Sequence, residues 1–192
     1  MKYYDDFARS GHTFEERIGK PVEVDAALGR VALAHALLEN GLCELIHLLL
    51  GADPTASSII TAELSFRQRL DLFGALARSR IDSSGSQETS ERLGAFLQRC
   101  RRAGELRNTY MHSSYSQGAR TKTTARGAQG LRLRVEPTDS ALLLDVADFI
   151  SETALICQEL PVDLGIADSF IAEGDTVTYS LGASVVGTSR RL

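Results

Sequence analysis

The chain has 192 residues, of which 43% are hydrophobic and 24% are charged, and its formal net charge is −4. This composition can supply a hydrophobic core and excludes wholesale disorder. The sequence has no run of about 18 apolar residues, so it predicts no membrane span. The acidic residues within 1–6 are atypical of a signal peptide, and we therefore expect a cytoplasmic protein.

Helical periodicity dominates the first half of the chain. An N-terminal helix is expected around Asp5–Ile18. The next helix begins near Leu28 and has apolar residues at helical spacing as far as Leu49, and the Gly-Ala-Asp-Pro sequence at 51–54 is typical of a helix end. His35 lies on the apolar stripe of this helix, which predicts a buried histidine in the core or at an interface.

Two further helices are predicted before the β structure begins. One runs from about Ala56 to Arg80, with an apolar stripe that includes Ile59 and Phe66. The other begins near Ser90, which we expect to be its N-cap, and continues into the segment 107–112. Its inward-facing residues are predicted to be Leu93, Phe96, Leu97 and Cys100.

A change of pattern after Tyr115 predicts a β-hairpin at about 120–136. Its strands would be Thr121–Arg126 and Leu131–Glu136, joined by the glycine-containing residues 127–130. Apolar and polar residues alternate in the second strand, which is typical of a strand with one covered face.

The last helix is predicted from about Ser140 to Leu160, closed by Pro161. The rest of the chain is rich in Gly, Ser and Thr, and its alternating residues 177–181 indicate either one edge strand or a loosely packed tail. The chain is thus expected to be mainly α, with four main helices, an N-terminal helix and a hairpin inserted before the last helix. The expected segments are an N-terminal helical segment, a helical domain and a C-terminal tail: 1–21, 22–164 and 165–192.

The sequence predicts neither a metal site nor a cofactor site. Cys43, Cys100 and Cys157 lack zinc-ligand spacing and are expected to be small buried residues in a reducing compartment. Glu44 and His47 have the Glu-x-x-His spacing of di-iron helical proteins. Those proteins need a second copy of the motif, which this sequence does not have.

Positive charge is concentrated between residues 99 and 134. This segment has nine basic residues and one acid, Glu105, so it carries +8, and the remainder of the chain carries −12. Eight of the nine are arginines, whose planar guanidinium suits phosphate. The segment indicates either a site for an anionic polymer or a solvated helix face followed by a polar hairpin.

The segment Arg107-Asn108-Thr109-Tyr110-Met111-His112 combines groups that suit phosphate chemistry. Arg107 continues the inward stripe of its helix, where an ionised side chain needs a partner. Asn108 and His112 share one face, and Arg107 is long enough to reach the same place. Arginine stabilises charge on a phosphate, histidine transfers protons near neutral pH, and asparagine can hold the tautomer. The alternative is that Arg107 and His112 are only structural.

This motif at a helix end resembles the Arg-x(4–6)-His motif of HEPN domains, in which a polar residue, often asparagine, commonly follows the arginine. The resemblance covers roughly residues 22–160. It implies an antiparallel helical bundle, metal-independent ribonuclease activity in toxin–antitoxin or phage-defence systems, and a homodimer with the motif at its interface. It also implies an antitoxin or regulatory protein as a partner. Other HEPN domains are non-catalytic and bind protein, nucleotide or RNA, and this is the alternative.

Matching the motif residue by residue assigns catalytic roles to Arg107 and His112 and a supporting catalytic role to Asn108. The 2′-OH of RNA would attack the adjacent phosphate while His112 moves the proton. RNA is the expected substrate, and the basic segment supplies the residues expected to bind it. These are Arg101, Arg102, Arg120, Lys122 and Arg126.

Three other residues are considered as supporting groups: Glu63, Ser113 and Tyr115. Glu63 is expected to be either the buried ion-pair partner of Arg107 or exposed at the rim. Ser113 and Tyr115 follow the motif and are expected to support it, and Tyr115 could stack on a base. Tyr110 lies on the inward stripe, which favours a packing role.

Overall fold

The computed structural model describes residues 22–51, 54–81, 86–116, 119–125, 131–137, 139–167, 169–173, 176–181 and 184–190. After residue 167 only the backbone is described. The helix expected around Asp5–Ile18 and the hairpin turn at 127–130 lie outside these residues.

The described part of the chain is mainly helical. It has five helices and two three-stranded antiparallel sheets. The helices are α1 (Val22–Leu50), α2 (Pro54–Ala62), α3 (Phe66–Ile81), α4 (Gln87–Met111) and α5 (Ser140–Asp163).

The first sheet lies between α4 and α5 and has the strand order β1-β2-β3. Its strands are β1 (Ser114–Ser116), β2 (Ala119–Ala125) and β3 (Leu131–Pro137). The pairing of β2 with β3 confirms the predicted hairpin, and β1 adds a strand that the sequence did not indicate. Leu133 and Val135 are 64% and 66% exposed, so the described part of the chain does not cover this face of β3 and the expected covered face is wrong.

The second sheet follows α5 and corrects the expectation for the tail. Its strands are β4 (Ser169–Glu173), β5 (Thr176–Leu181) and β6 (Ser184–Arg190), in that order. The alternating residues 177–181 therefore belong to a central strand and not to an edge strand. Residues 174 and 182 are glycines, and Gly-x pairs in a sequence favour hairpins. These two glycines are the sequence signal from which the other two strands could have been predicted.

Helix α1 is the centre of the core and packs against α3, α4 and α5. By length and composition alone it is apolar enough to cross a membrane. Its stripe of Val31, Leu38, Leu42 and Ile46 is fully buried against the other helices, and 39% of its apolar window is buried in all. The predicted burial of Leu93, Phe96, Leu97 and Cys100 on α4 is confirmed.

The single helix predicted after residue 55 is instead two helices, α2 and α3. The helix is interrupted before Phe66. The Ser65 amide donates to Gln68 Oε1 (2.9 Å), and the Gln68 amide donates to Ser65 Oγ (3.4 Å). This reciprocal pair is a capping box, which starts a new helix. Arg69 Nε donates to the carbonyl oxygen of Thr61 at the end of α2 (3.2 Å). Ile59 is 69% exposed, so the apolar stripe does not continue across the break.

Helix α4 begins one turn earlier than predicted. Its N-cap is Ser86, whose Oγ accepts from the amide of Thr89 at 3.3 Å. Ser90, the predicted N-cap, lies inside the first turn and donates its hydroxyl to the carbonyl oxygen of Ser86 (3.4 Å). Both serines precede the apolar stripe, and periodicity alone does not separate them.

Helix α5 continues past Pro161 and ends at Asp163, which corrects the predicted stop. Pro161 is tolerated there, and its carbonyl oxygen accepts from the amide of Ile166 at 2.8 Å. The amide of Gly165, at φ +66°, donates to the carbonyl oxygen of Val162 (2.9 Å). These two bonds form a Schellman motif, and its glycine ends the helix.

The three cysteines are free thiols. Cys100 and Cys157 are buried, and burial raises the pKa of both thiols, that of Cys157 to about 12. They therefore stay protonated and pack as small apolar groups, as predicted. Cys43 is only half-buried, so full burial was wrong for this residue.

Candidate active site

The predicted motif lies at the C-terminal end of α4. Arg107 is in the last turns of the helix, and His112 is its C-cap residue, with φ −101° and ψ 18°. The amide of His112 donates to the carbonyl oxygen of Asn108 at 3.3 Å. The cap residue is therefore fixed one turn beyond Asn108, on the side of the helix that Arg107 can reach.

Arg107 connects the other two members of the motif. Its Nη1 donates to Asn108 Oδ1 at 3.1 Å and lies 3.3 Å from His112 Nε2. Because a guanidinium has only donors, Nε2 must accept in this contact. A hydrogen bond here corresponds to the tautomer of His112 that has its proton on Nδ1. The three residues predicted to be catalytic thus form one cluster.

The cluster is open to solvent. His112 and Asn108 are exposed, and Arg107 is half-buried because it follows the fully buried Ala103 on the inward stripe of α4. The stem of an arginine in such a position is held by packing while its charged head stays at the surface. A polymeric substrate can reach all three side chains.

Two side-chain hydroxyl groups stabilise the C-terminal end of α4, which carries the motif. Ser113 Oγ donates to the carbonyl oxygen of Thr109 (2.6 Å), and the Tyr115 hydroxyl donates to that of Tyr110 (2.7 Å). The last carbonyls of a helix have no partner within it, so these bonds stabilise the helix end. Burial raises the pKa of Tyr115 to about 12, which keeps its hydroxyl a donor at neutral pH.

Two residues that were expected to bind RNA are directed at the same helix end. Arg120 is 7% exposed, donates to the carbonyl oxygen of Thr109 (3.3 Å), pairs with Glu136 and lies over the ring of Tyr110. Lys122 Nζ donates to Thr109 Oγ1 at 3.2 Å. Cations are favourable at a helix C-terminus. The RNA-binding role predicted for Arg120 does not fit its burial, and Tyr110 has the packing role expected for it.

Another member of the basic segment holds α4 against α5. Arg99 Nη2 pairs with Glu152 at 2.7 Å, and its Nε donates to the fully buried Thr153 at 3.1 Å. Its Cζ lies 4.6 Å from the ring centroid of Phe149. Arg99 is thus a packing residue.

The remaining cations expected to bind RNA differ in their surroundings. Arg101 and Arg102 are both exposed on α4. Arg102 Nη1 lies 3.5 Å from Glu105, whereas Arg101 makes no ion pair within the residues that the structure describes. Arg126 lies outside those residues.

Glu63 is exposed in the turn between α2 and α3. The break in the helix removes it from the apolar stripe, which was the reason to expect it next to Arg107. The exposed alternative is therefore the one that fits.

His35 on α1 is a buried polar residue on which the charge of Arg107 acts. His35 is 6% exposed, which confirms its predicted burial, and its ring centroid lies 4.6 Å from that of Phe66. Burial lowers the pKa of His35, Glu39 opposes the shift, and the charge of Arg107 adds to it. Glu39 also lies 3.7 Å from Arg69 of α3. No sequence pattern indicates this cluster, because it depends on how α1, α3 and α4 pack.

A groove of about 410 Å³ lies between α3 and α4 and adjoins the motif. Asn108, the hydrogen-bond partner of Arg107, is among its lining residues, so this α3–α4 groove and the motif are continuous. The other lining residues are Phe66, Arg67, Leu70, Asp71, Arg101, Gly104 and Glu105.

Among the described residues, no group of three or more His, Cys, Asp or Glu side chains is placed to hold a metal ion. In that part of the chain, no third potential metal ligand therefore lies beside Glu44 and His47.

No protein-family model matches the chain, and no curated protein or solved structure matches it. The likeness to HEPN domains therefore rests on the Arg107–His112 motif and its helical setting.

Proposed function

We propose that the chain is a metal-independent endoribonuclease of the HEPN type. The observation that carries the proposal is the contact between Arg107 Nη1 and His112 Nε2, at 3.3 Å on an exposed helix end. A cation and a neutral imidazole so close together can act on one phosphodiester, the first on its charge and the second on a proton.

The proposed reaction is an internal transesterification of RNA. The 2′-oxygen attacks the adjacent phosphorus, the O2′–P bond forms and the P–O5′ bond breaks. His112 Nε2 takes the proton of the 2′-OH, and the departing 5′-oxygen takes a proton from solvent. The products are a 2′,3′-cyclic phosphate and a 5′-hydroxyl, and Arg107 stabilises the negative charge on the non-bridging phosphoryl oxygens in the transition state.

The contacts of the free protein suggest how the site responds to substrate. Arg107 donates to His112 Nε2, which occupies the lone pair that a general base needs. A phosphate is a stronger acceptor for a guanidinium than an imidazole nitrogen is. Binding of the phosphodiester therefore draws Arg107 away and frees Nε2, while Asn108 continues to orient Arg107.

The wider proposal follows the HEPN likeness. The four long helices would form an antiparallel bundle, and two copies would pair with their motifs at the interface, which completes one RNA site. The protein would act in the cytoplasm as a toxin or in phage defence, and an antitoxin or regulatory protein would restrain it.

The test is cleavage of a mixed RNA pool by purified protein in the presence of EDTA. Wild type is expected to leave 2′,3′-cyclic phosphate ends, and His112→Ala should be at least about 100-fold slower, the usual loss of a general base. His47→Ala is the matched control, because His47 is a half-buried histidine on α1. This variant should cleave RNA like wild type. Circular dichroism shows that each variant is folded. No cleavage by folded wild type would refute the proposal for those RNAs.

A second candidate is a non-catalytic HEPN-like module that binds a protein, and the exposed Leu133 and Val135 on β3 favour it. In that case overexpression of wild type in cells is not toxic. A ribonuclease is toxic, and His112→Ala abolishes the toxicity.

A further inference from the structure

The floor of the α3–α4 groove is apolar and depends on a glycine. A Cβ atom at Gly104 would lie 2.8 Å from Cε1 of Phe66, so any larger residue would displace the Phe66 ring. Leu70, which is 3% exposed, completes the floor. The groove volume of about 410 Å³ lies within the range of ~300–1,000 Å³ that is common for small-ligand sites.

The rim of the groove has two arginines whose charge is available. Arg101 makes no ion pair among the described residues, and Arg67 is 92% exposed with only a distant pair to Asp71 (3.9 Å). The acid Glu105 is balanced by Arg102 outside the groove, at 3.5 Å. Arg67 also belongs to the first turn of α3, where a helix favours negative charge.

We propose that the α3–α4 groove binds the nucleotide next to the cleaved phosphodiester of single-stranded RNA. The base packs on Phe66 and Leu70, and its phosphate pairs with Arg101. Asn108 marks the junction between this subsite and the motif. The inference rests on the proposed function, because it assumes that RNA reaches Arg107 and His112.

Two consequences define the substrate. A base that is paired in a duplex cannot enter the groove, so single-stranded RNA is preferred over duplex RNA. An apolar floor reads the surface of a base more than its hydrogen-bonding edge, so binding tolerates different sequences.

The test measures binding and does not depend on cleavage. A short fluorescent single-stranded RNA is titrated with the His112→Ala protein, and anisotropy is recorded at several salt concentrations. Adding Arg101→Ala should weaken binding about fivefold and reduce the slope of log K against log salt by about one. Adding Asp71→Asn should tighten binding, because it removes a negative charge from the rim and releases Arg67.

Arg80→Ala is the matched control, since Arg80 is also an exposed arginine but lies at the far end of α3, outside the groove lining. It should change affinity less than about twofold. The subsite is refuted if Arg101→Ala binds like its parent or like Arg80→Ala, if Asp71→Asn weakens binding, or if duplex RNA binds equally well.

The two proposals fail in different ways. Binding that depends on Arg101, together with no cleavage by wild type, would reject the ribonuclease and keep the subsite. Cleavage that depends on His112, together with binding that ignores Arg101, would keep the ribonuclease and reject the subsite.

Discussion

Arg120 lies over the aromatic ring of Tyr110, with its Cζ 4.5 Å from the ring centroid, and so joins the first sheet to the last turn of α4. The same guanidinium reaches Thr109 and Glu136. One buried cation thus joins a strand, a carboxylate and the helix end that carries Arg107 and His112.

Arg120→Met should destabilise the fold by about 2 kcal/mol. It removes the ring contact and leaves Glu136 without its buried partner, although Glu136 is partly exposed and keeps its pair with Arg134, which reduces the usual cost of breaking a buried pair. Urea denaturation followed by circular dichroism measures the change. Arg102→Met removes an exposed arginine from α4 and should cost under about 0.5 kcal/mol. Equal losses for the two variants would contradict the structural role of Arg120.

The N-cap of α4 can be tested by a pair of serine variants. Ser86→Ala should cost about 1 kcal/mol, because it removes the acceptor for the Thr89 amide. Ser90→Ala should be nearly neutral, since alanine is a better helix former inside the first turn. Thermal or urea unfolding of both variants gives the comparison, and a larger loss for Ser90→Ala would place the cap where the sequence alone suggested it.

The free energy of unfolding should decrease as the pH is lowered, partly because of His35. Its pKa in the folded state lies below the ordinary histidine value of 6.5, so the unfolded chain binds the proton first as the pH decreases. This contribution to stability is present above pH 6.5 and is lost as the pH falls toward the folded pKa. Among the described residues, Glu39 lies 3.7 Å from His35 on the same helix, Arg69 of α3 pairs with Glu39, and the charge of Arg107 on α4 also acts on His35.

Urea denaturation at pH 7.5 and pH 5.5 tests this expectation. Wild type should lose more stability between the two values than His35→Gln, in which the titrating group is absent. If both proteins show the same pH dependence, burial does not lower the pKa of His35 in the folded state.

Two glycines should respond in opposite directions to alanine. Gly165→Ala should cost about 1 kcal/mol, because Gly165 has φ +66° and alanine is strained there. Gly94→Ala, in the exposed middle of α4 with open space around the added methyl group, should stabilise the fold by about 0.5–1 kcal/mol. The midpoints of thermal unfolding check both signs, and a stabilised Gly165→Ala would mean that α5 does not end in a Schellman motif.

The sequence predicted the parts of the fold that depend on local pattern. Apolar spacing placed Leu93, Phe96 and Cys100 in the core, and alternation with a glycine-rich turn placed the hairpin. The break at Ser65 was missed, although Ser65 and Gln68 have the spacing of a capping box, because the apolar stripe was extended through it.

The site could be predicted only in part, because only some of its contacts are between residues close in sequence. Arg107 and His112 are close in sequence, so helix geometry alone brings them together. The burial of Arg120 depends on the strand register that sets it opposite Glu136, and the effect of the Arg107 charge on His35 depends on the packing of α1 against α4. Positive charge along the chain does not reveal which arginines are paired within the fold.

The Arg107–His112 pair spans the boundary between a helix and a turn, since Arg107 lies within α4 and His112 caps it. Fraying of a single helical turn would separate the two side chains while the core stayed intact. The fraction of molecules with an assembled site is then set by a local opening equilibrium and not by global unfolding. The exchange rate of the His112 amide, which donates to the carbonyl oxygen of Asn108, should report that equilibrium. The hydrogen bonds from Ser113 and Tyr115 to carbonyl oxygens in the last turn of α4 oppose the opening.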